Sequence, residues 1–157
     1  MPSQNSDLRE NLVKYASFIL NRRPYFRHTL RQKLINRSLK LKFTDYGAVV
    51  ESLLDDLSAS GYLNDSYLAE AFVRRQLAKG YGPRIIKLKL SQLKLANNTI
   101  SESLASEATS SELLSSARAF LNKKRYLDQR KATQSLYQRG YDQSTIRRLF
   151  DSFDPTD

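Results

Sequence analysis

Apolar residues recur three or four positions apart along most of the chain, which is the spacing of one face of an α-helix. The clearest case begins at Gly61, where a Gly-Tyr turn and a polar cap at Asn64 or Asp65 precede an apolar stripe. Residues 80–83 (Gly-Tyr-Gly-Pro) interrupt this pattern, because Gly tolerates a left-handed backbone at a helix end and Pro favours a new first turn. We therefore predict two helices joined by a tight turn, the second running to Leu95.

The pattern occurs three times. Leu34, Leu90 and Leu136 occupy matching places near the end of each second helix, at spacings of 56 and 46 residues. The longer spacing reflects an insertion at about 39–44, whose alternating residues allow an extended connection or a short strand. Units this small bury too little apolar surface to be stable alone. We predict an all-α protein, an elongated array of three tandem three-helix repeats, with a single compact bundle as the alternative. The repeats span residues 7–60, 61–107 and 108–153.

Polar residues that can cap helices mark where several helices should begin. Two of them, Thr99 and Thr109, stand three residues before a Glu, as in a capping box. The second of these boxes predicts a helix restart within a Ser-rich stretch that could otherwise be a flexible link. The other predicted caps are Ser6 or Asp7, Asp45, Asp128 and Asp142.

The net charge of the chain and its distribution indicate which class of ligand the protein binds. The chain has a net charge of +10 and a pI near 9.9. Residues 11–44 hold nine basic groups and no acid, whereas residues 45–56 hold four acids and no base, which predicts faces of opposite sign. A basic surface of this kind suits a polyanion such as nucleic acid.

The sequence contains no recognisable enzyme signature. It has no Cys and a single His, His28, without clustered carboxylates, and residues 80–83 lack the spacing of a phosphate-binding loop. No apolar run approaches the length of a membrane span. We expect a cytoplasmic, monomeric protein that is not an enzyme, has no cofactor or metal, and does not bind membranes.

The basic residues cluster at the turn of each repeat, so we expect them to face a polyanion along one surface. Tyr25, Tyr81 and Tyr126 lie near these turns and could stack on bases, although packing is the commoner role of such rings. The candidate contact residues are Arg74, Arg75, Arg84, Lys87 and Lys89 in the centre, flanked by Arg27, Arg31, Lys123, Lys124 and Arg130.

Two motifs carry a family resemblance. Residues 61–65 (Gly-Tyr-Leu-Asn-Asp) and 80–83 (Gly-Tyr-Gly-Pro), with Phe72 and Leu90, resemble the central repeat of RecX proteins, the bacterial regulators of the RecA recombinase. The resemblance extends in pattern over residues 8 to about 153. It departs from the family at Lys94, where a Gly is usual, and at the 39–44 insertion.

The resemblance implies a function. It implies a curved, non-catalytic, all-α protein that binds in the groove of a RecA–DNA filament, lowers its ATPase and strand-exchange activity, and promotes disassembly or limits growth. Its partners would be the recombinase filament and single- or double-stranded DNA, within the filament or weakly alone. Two rivals remain open: a free-standing DNA-binding module that uses residues 80–83 as a helix-turn-helix, and an adaptor for an unrelated acidic protein.

Overall fold

The structure is a computed structural model that describes residues 3–125 and 128–152. These ranges contain nine α-helices and no strand, so the prediction of an all-α helical repeat fold is confirmed. The chain forms two compact units, one up to Leu68 and one from Ala69 onward. The helices are α1 (Gln4–Leu20), α2 (Arg27–Lys40), α3 (Gly47–Ala59), α4 (Asp65–Ala78), α5 (Pro83–Gln92), α6 (Asn97–Glu107), α7 (Ser110–Lys124), α8 (Gln129–Gln138) and α9 (Gln143–Asp151).

In the first unit, helices α1, α2 and α3 each contact the other two. Leu8 and Leu12 of α1, Leu30 and Leu34 of α2, and Leu54 of α3 are fully buried in one cluster. Each pair is four residues apart on its helix, so both members of the pair point to the same side. The apolar spacing of the sequence therefore produces this three-helix core.

In the second unit, α5 packs on α6, while α7 and α8 both pack on α9. Ile86 and Leu90 of α5 are fully buried, and their spacing of four residues places both on one face of the helix. Phe120, Leu136 and Tyr141 belong to one buried cluster in the last three helices. The division into three repeats with the boundaries given above stays a prediction, and its end at residue 153 lies outside the described residues.

Four of the seven predicted helix caps are confirmed. Asn64 accepts a hydrogen bond from the Tyr67 N–H at 3.1 Å. The Thr109 hydroxyl accepts from the Glu112 N–H at 3.3 Å, so α6 and α7 are separate helices rather than parts of a flexible link. Asp128 and Asp142 cap α8 and α9 through the backbone N–H groups of Arg130 and Thr145, at 2.9 and 2.8 Å.

Three predicted caps are wrong. Ser3, not Ser6 or Asp7, caps α1 by accepting from the Ser6 N–H at 3.3 Å. Tyr46, not Asp45, precedes α3 and gives it no side-chain cap. Helix α6 begins at Asn97 after an extended Ala96, two residues before Thr99, because the preceding turn reverses the chain within a few residues.

The predicted extended or strand-like connection at 39–44 is also wrong. Leu39 and Lys40 form the last turn of α2, and the chain then reverses at Lys42, which has a φ of 63°. The Phe43 N–H donates to the Ser38 carbonyl at 3.1 Å and closes the helix end. Helix α5 similarly ends at Gln92 rather than Leu95, because a left-handed residue, Lys94 with a φ of 58°, stops it. Alternation in a short segment did not distinguish a helix end from a strand.

Four helices end in the same way. In each, the residue two positions past the helix has a positive φ, and the N–H of the next residue donates back to a carbonyl of the last turn, as in a Schellman motif. That next residue is aromatic every time. The motif ends α2, α3, α4 and α8, and its aromatic residues are Phe43, Tyr62, Tyr81 and Tyr141.

Candidate polyanion-binding surface

Two turns of the second unit meet through their backbones. The turn between α4 and α5 places the Gly82 N–H 2.8 Å from the Arg139 carbonyl oxygen, and the Arg84 N–H donates to the Gly140 carbonyl at 3.1 Å. We call residues 80–84 together with 139–141 the turn junction. The sequence predicted the turn at residues 80–83 but not its contact with residues 139–141.

The turn junction requires glycine at two positions because the backbones are so close. A Cβ atom on Gly82 would lie 2.4 Å from the Gly140 carbonyl carbon. A Cβ atom on Gly140 would lie 2.6 Å from the Ile85 nitrogen, and Gly140 also has a φ of 96°. Both distances are far below van der Waals contact, so a larger residue at either place must separate the two turns.

A hydrogen-bonded pair of hydroxyl groups connects the turn junction to the neighbouring helices. The Tyr141 hydroxyl lies 2.6 Å from the Ser116 Oγ, and the Ser116 hydroxyl lies 2.6 Å from the Leu77 carbonyl oxygen. Tyr141 is fully buried, and this burial raises the pKa of its phenol. The phenol is therefore held neutral and satisfied, and it links α7 to the start of α9 and to the end of α4.

Cations in the turn junction and next to it lie over aromatic rings. The Tyr81 ring has the Lys89 Nζ 3.7 Å from its centroid and the Arg139 Cζ 4.6 Å from it. The Arg139 Cζ is also 4.6 Å from the centre of the Phe120 ring, and its Nη1 donates to the Lys79 carbonyl at 3.3 Å. An aromatic face attracts a cation without carrying a net negative charge, so these groups are positioned but not neutralised.

Arg84 and Lys89, two of the candidate contact residues, are held in place in a similar way. Arg84 donates to the Tyr137 carbonyl oxygen, and its Cζ lies 4.7 Å from the centre of the Tyr137 ring. The Lys89 Nζ donates to the Gln76 side-chain oxygen at 2.8 Å. Neither cation contacts a carboxylate among the described residues, so both keep their full charge.

The other central candidates, Arg74, Arg75 and Lys87, differ in whether an acid compensates their charge. The Arg74 Nη1 forms an ion pair with the Glu107 Oε1 at 2.8 Å, which compensates its charge. Arg75 and Lys87 are exposed, and within residues 3–125 and 128–152 their side chains have no ion pair. These two residues are therefore the most accessible cations of the central set.

The candidates in the first unit are neutralised. Arg27 lies 2.7 Å from an Asp55 oxygen and 3.3 Å from a Glu51 oxygen, and Arg31 pairs with the other Glu51 oxygen. Arg31, and to a lesser degree Arg27, lower the pKa of the Glu51 carboxyl. The basic and acidic blocks of the sequence were expected to form separate faces, but here they contact each other across α2 and α3.

The flanking candidates of the second unit lie on the surface. Lys123 and Lys124 are exposed in the last turn of α7. Arg130, in the first turn of α8, lines a groove of about 990 Å³ between α8 and α9 together with Arg147 and Tyr137. Tyr126, the third of the turn tyrosines, lies outside the described residues.

The described part of the chain offers no group of His, Asp and Glu residues that could hold a metal ion. Over the same residues, every helix is too short or too polar to cross a lipid bilayer.

Comparison with known proteins agrees with this architecture. The family model described as RecX, second three-helix domain, matches residues 64–104, which correspond to α4, α5 and most of α6. A regulatory protein RecX from Photobacterium profundum is 33% identical over 81 residues, and one from Shewanella oneidensis is 45% identical over 40 residues. These matches cover 52% and 26% of this chain, but only 28% and 32% of the relatives' own lengths.

Solved structures extend the likeness in fold to nearly the whole chain. The crystal structure of RecX from Lactobacillus salivarius superposes with a TM-score of 0.79 at 23% identity, covering 95% of this chain and 98% of that chain. A second crystal structure of regulatory protein RecX has a TM-score of 0.76 at 18% identity, covering 94% and 73%. These two structures show that the chain has the fold of the RecX proteins, and the family model assigns its central helices, residues 64–104, to the second RecX domain.

Proposed function

We propose that this protein binds a RecA-type recombinase filament on DNA and lowers its ATPase activity, its strand exchange and its growth. The relatives are named regulatory protein RecX, and the RecX resemblance of residues 61–95 implies this target. The observation that carries the proposal is the turn junction. Its residues 80–84 lie in the family-matched segment, and the aromatic rings there hold cations without neutralising them.

The turn junction suits a polyanionic nucleoprotein for an energetic reason. Long basic side chains lose conformational freedom when they bind phosphate or carboxylate groups. Lys89 and Arg139 on the Tyr81 ring, and Arg84 on Tyr137, are already ordered, so less freedom remains to be lost. The exposed Arg75 and Lys87 add charge that no described acid cancels.

Direct reading of duplex bases by α5 has weaker support. A helix-turn-helix reader needs side chains at the N-terminal end of its second helix to be available for base edges. At that end of α5, Arg84 is committed to the carbonyl and ring of Tyr137, and the turn before it is covered by residues 139–141. The geometry therefore favours regulation of a filament over sequence reading.

The test is the ATPase activity of a RecA-type recombinase stimulated by single-stranded DNA. Addition of substoichiometric amounts of this protein should lower the rate of ATP hydrolysis. The variant Arg75→Glu/Lys87→Glu should need a concentration at least about tenfold higher for the same inhibition, and its binding should depend less on salt. These two residues have no described ion pair, so their reversal leaves the turn junction intact.

A matched control changes two exposed lysines outside the central segment that have no described ion pair, Lys42→Glu/Lys131→Glu, and alters the net charge by the same amount. It should inhibit like the unmodified protein. An unchanged ATPase rate with the unmodified protein would refute the proposed function. Equal loss in both variants would show that net charge, rather than the central segment, governs binding.

A further inference from the structure

The first unit has a basic groove that the candidate residues of the sequence did not identify. The groove lies between α1 and α2 and has a volume of about 230 Å³. Its lining contains three cations, one amide and one phenol. These residues are Tyr15, Lys33, Asn36, Arg37 and Lys40.

Aromatic rings hold cations in this groove and further along α1. Just past the end of α1, the Arg22 Cζ lies 4.2 Å from the centre of the Phe18 ring, which is one turn along the helix from Tyr15 of the groove. On α2, the Arg37 Cζ lies 5.5 Å from the Tyr15 ring, and its Nε donates to the Asn11 side-chain oxygen at 3.1 Å. These arginines are fixed by uncharged partners.

A third ring lies where α1 leads into α2. The Tyr25 ring has the Arg23 Cζ at 4.7 Å and the Lys33 Nζ at 5.4 Å from its centre. The Arg23 Nε also donates to the Tyr25 hydroxyl at 3.0 Å. This hydrogen bond lowers the pKa of the phenol, in keeping with a strongly positive surrounding.

The positive charge of the groove is not compensated locally. The segment from residue 11 to residue 44 contains no acid, and none of the ion pairs described for the first unit uses Arg22, Lys33 or Arg37. Arg27 and Arg31, on the same α2, are instead neutralised by α3. The first unit thus divides its cations into a paired set and an unpaired, aromatic-held set.

We propose that the groove between α1 and α2 binds single-stranded nucleic acid. Arg22, Lys33, Arg37 and Lys40 contact successive phosphates, and bases stack on the ring of Phe18. That ring is 56% exposed although it is large and apolar. Interleaved cations and aromatic faces are the combination that single-strand-binding proteins use. Bases of a duplex are already stacked on one another and gain nothing from the ring, which is why we assign the single strand.

This proposal does not rest on the proposed function, since it concerns the first unit alone and needs no recombinase. It is tested by fluorescence anisotropy with a labelled oligothymidylate of about 15 nucleotides. An abasic strand of equal length, a duplex and a poly-glutamate peptide serve as competitors. The oligothymidylate should bind about tenfold more tightly than the abasic strand and the duplex. Equal competition by the duplex, the abasic strand or the peptide would overturn the proposal.

Two pairs of variants locate the site. Phe18→Ala should weaken binding about tenfold, whereas Val13→Ala, which also removes an exposed apolar side chain from α1, should not change it. Arg22→Gln/Arg37→Gln should reduce the slope of log affinity against log salt by about 1.4, since each single-strand phosphate contact contributes about 0.7. Lys124→Gln/Lys131→Gln, which removes two exposed lysines of the second unit that have no described ion pair, should leave most of that slope.

The stability of each variant is checked by its thermal unfolding midpoint. If the double arginine variant unfolds, Phe18→Ala decides the matter, because an exposed ring contributes little to folding. Unchanged affinity of Phe18→Ala, or equal effects in test and control variants, would refute the assignment of the groove.

Discussion

The arginines of α2 in the first unit and those of the turn junction in the second unit are held by different kinds of partner. Arg27 and Arg31 contact the carboxylates of Glu51 and Asp55. Arg84 and Arg139 contact carbonyl oxygens and aromatic rings instead. A carboxylate orders and cancels a cation, whereas a ring or a carbonyl orders it and leaves its charge available to a ligand.

The difference teaches that counting basic residues near a turn does not locate a binding surface. Arg27 and Arg84 both occupy the first turn of a second helix, yet only the first is part of an ion-pair network. The acids that pair with Arg27 lie on α3. Helix α6, which follows α5 as α3 follows α2, contains only two acids, Glu102 and Glu107. Four variants test whether the two regions behave as differently as their partners indicate.

The largest effect is expected where the two turns meet. Gly82→Ala should destabilise the protein by about 3 kcal/mol, because the new methyl group would overlap the Gly140 carbonyl carbon. Urea denaturation measures this change. The control is Gly47→Ala at the start of α3, where nothing lies within 4 Å and stability should stay the same or rise slightly. Equal stability of the two variants would mean that the turns are not in contact.

The next effect concerns the stacked arginine of the turn junction. Arg139→Ala should cost about 1–2 kcal/mol, because it removes contacts with the Tyr81 and Phe120 rings and a donor to the Lys79 carbonyl. Thermal unfolding measures the loss, with the exposed Arg147→Ala as control. Arg139→Lys should recover only part of it, since a lysine keeps the charge but lacks the planar group. Full recovery would contradict a stacking role.

A smaller effect is expected at the cap of α9. Asp142→Ala should cost about 1 kcal/mol by leaving the Thr145 N–H without its acceptor. Hydrogen bonds from Thr145 lower the pKa of Asp142 below its usual 3.8, so this stabilisation is present above that pH and is lost as the pH falls through the lowered pKa. Asp142→Asn keeps an oxygen acceptor and should retain most of the stability without the pH dependence. A pH series of denaturation midpoints tests both statements.

The smallest effect is expected in the ion pairs of α2 and α3. Glu51→Gln should cost only about 0.5 kcal/mol, because the pair with Arg31 is half exposed and screened by solvent. The pKa of Glu51 is lowered from 4.5, so its contribution is present above about pH 4.5 and disappears as the pH falls through the folded value. High salt should remove most of the difference between the variant and the unmodified protein. A loss as large as that of Arg139→Ala would contradict the comparison of the two regions.

The sequence predicted the helices well because their evidence is local. A buried leucine stripe such as that of Leu30 and Leu34, or a cap such as Asp142, is encoded within a few residues of the structure it produces. The errors arose where a local pattern had two readings. Residues 39–43 alternate like a strand, but a left-handed Lys42 ends a helix there, and lysine gives no sign of that backbone.

The candidate surface was less predictable because its partners are distant in sequence. Gly82 meets Arg139 and Gly140 across 57 and 58 residues, and nothing near Gly82 indicates which carbonyl its N–H will reach. Ion pairing of Arg27 with Asp55 depends equally on how α2 packs on α3. The basic block at residues 11–44 and the acidic block at residues 45–56 did carry information about this contact, because adjacent helices of opposite charge attract each other.

The contact between the two glycine turns has a consequence for how the second half of the chain can be divided. A fragment that stopped after α6 would expose the Gly82 and Arg84 N–H groups. It would also lack Arg139, which lies over the Tyr81 ring. The family-matched three helices on their own therefore lack residues 139–141, which complete the turn between α4 and α5.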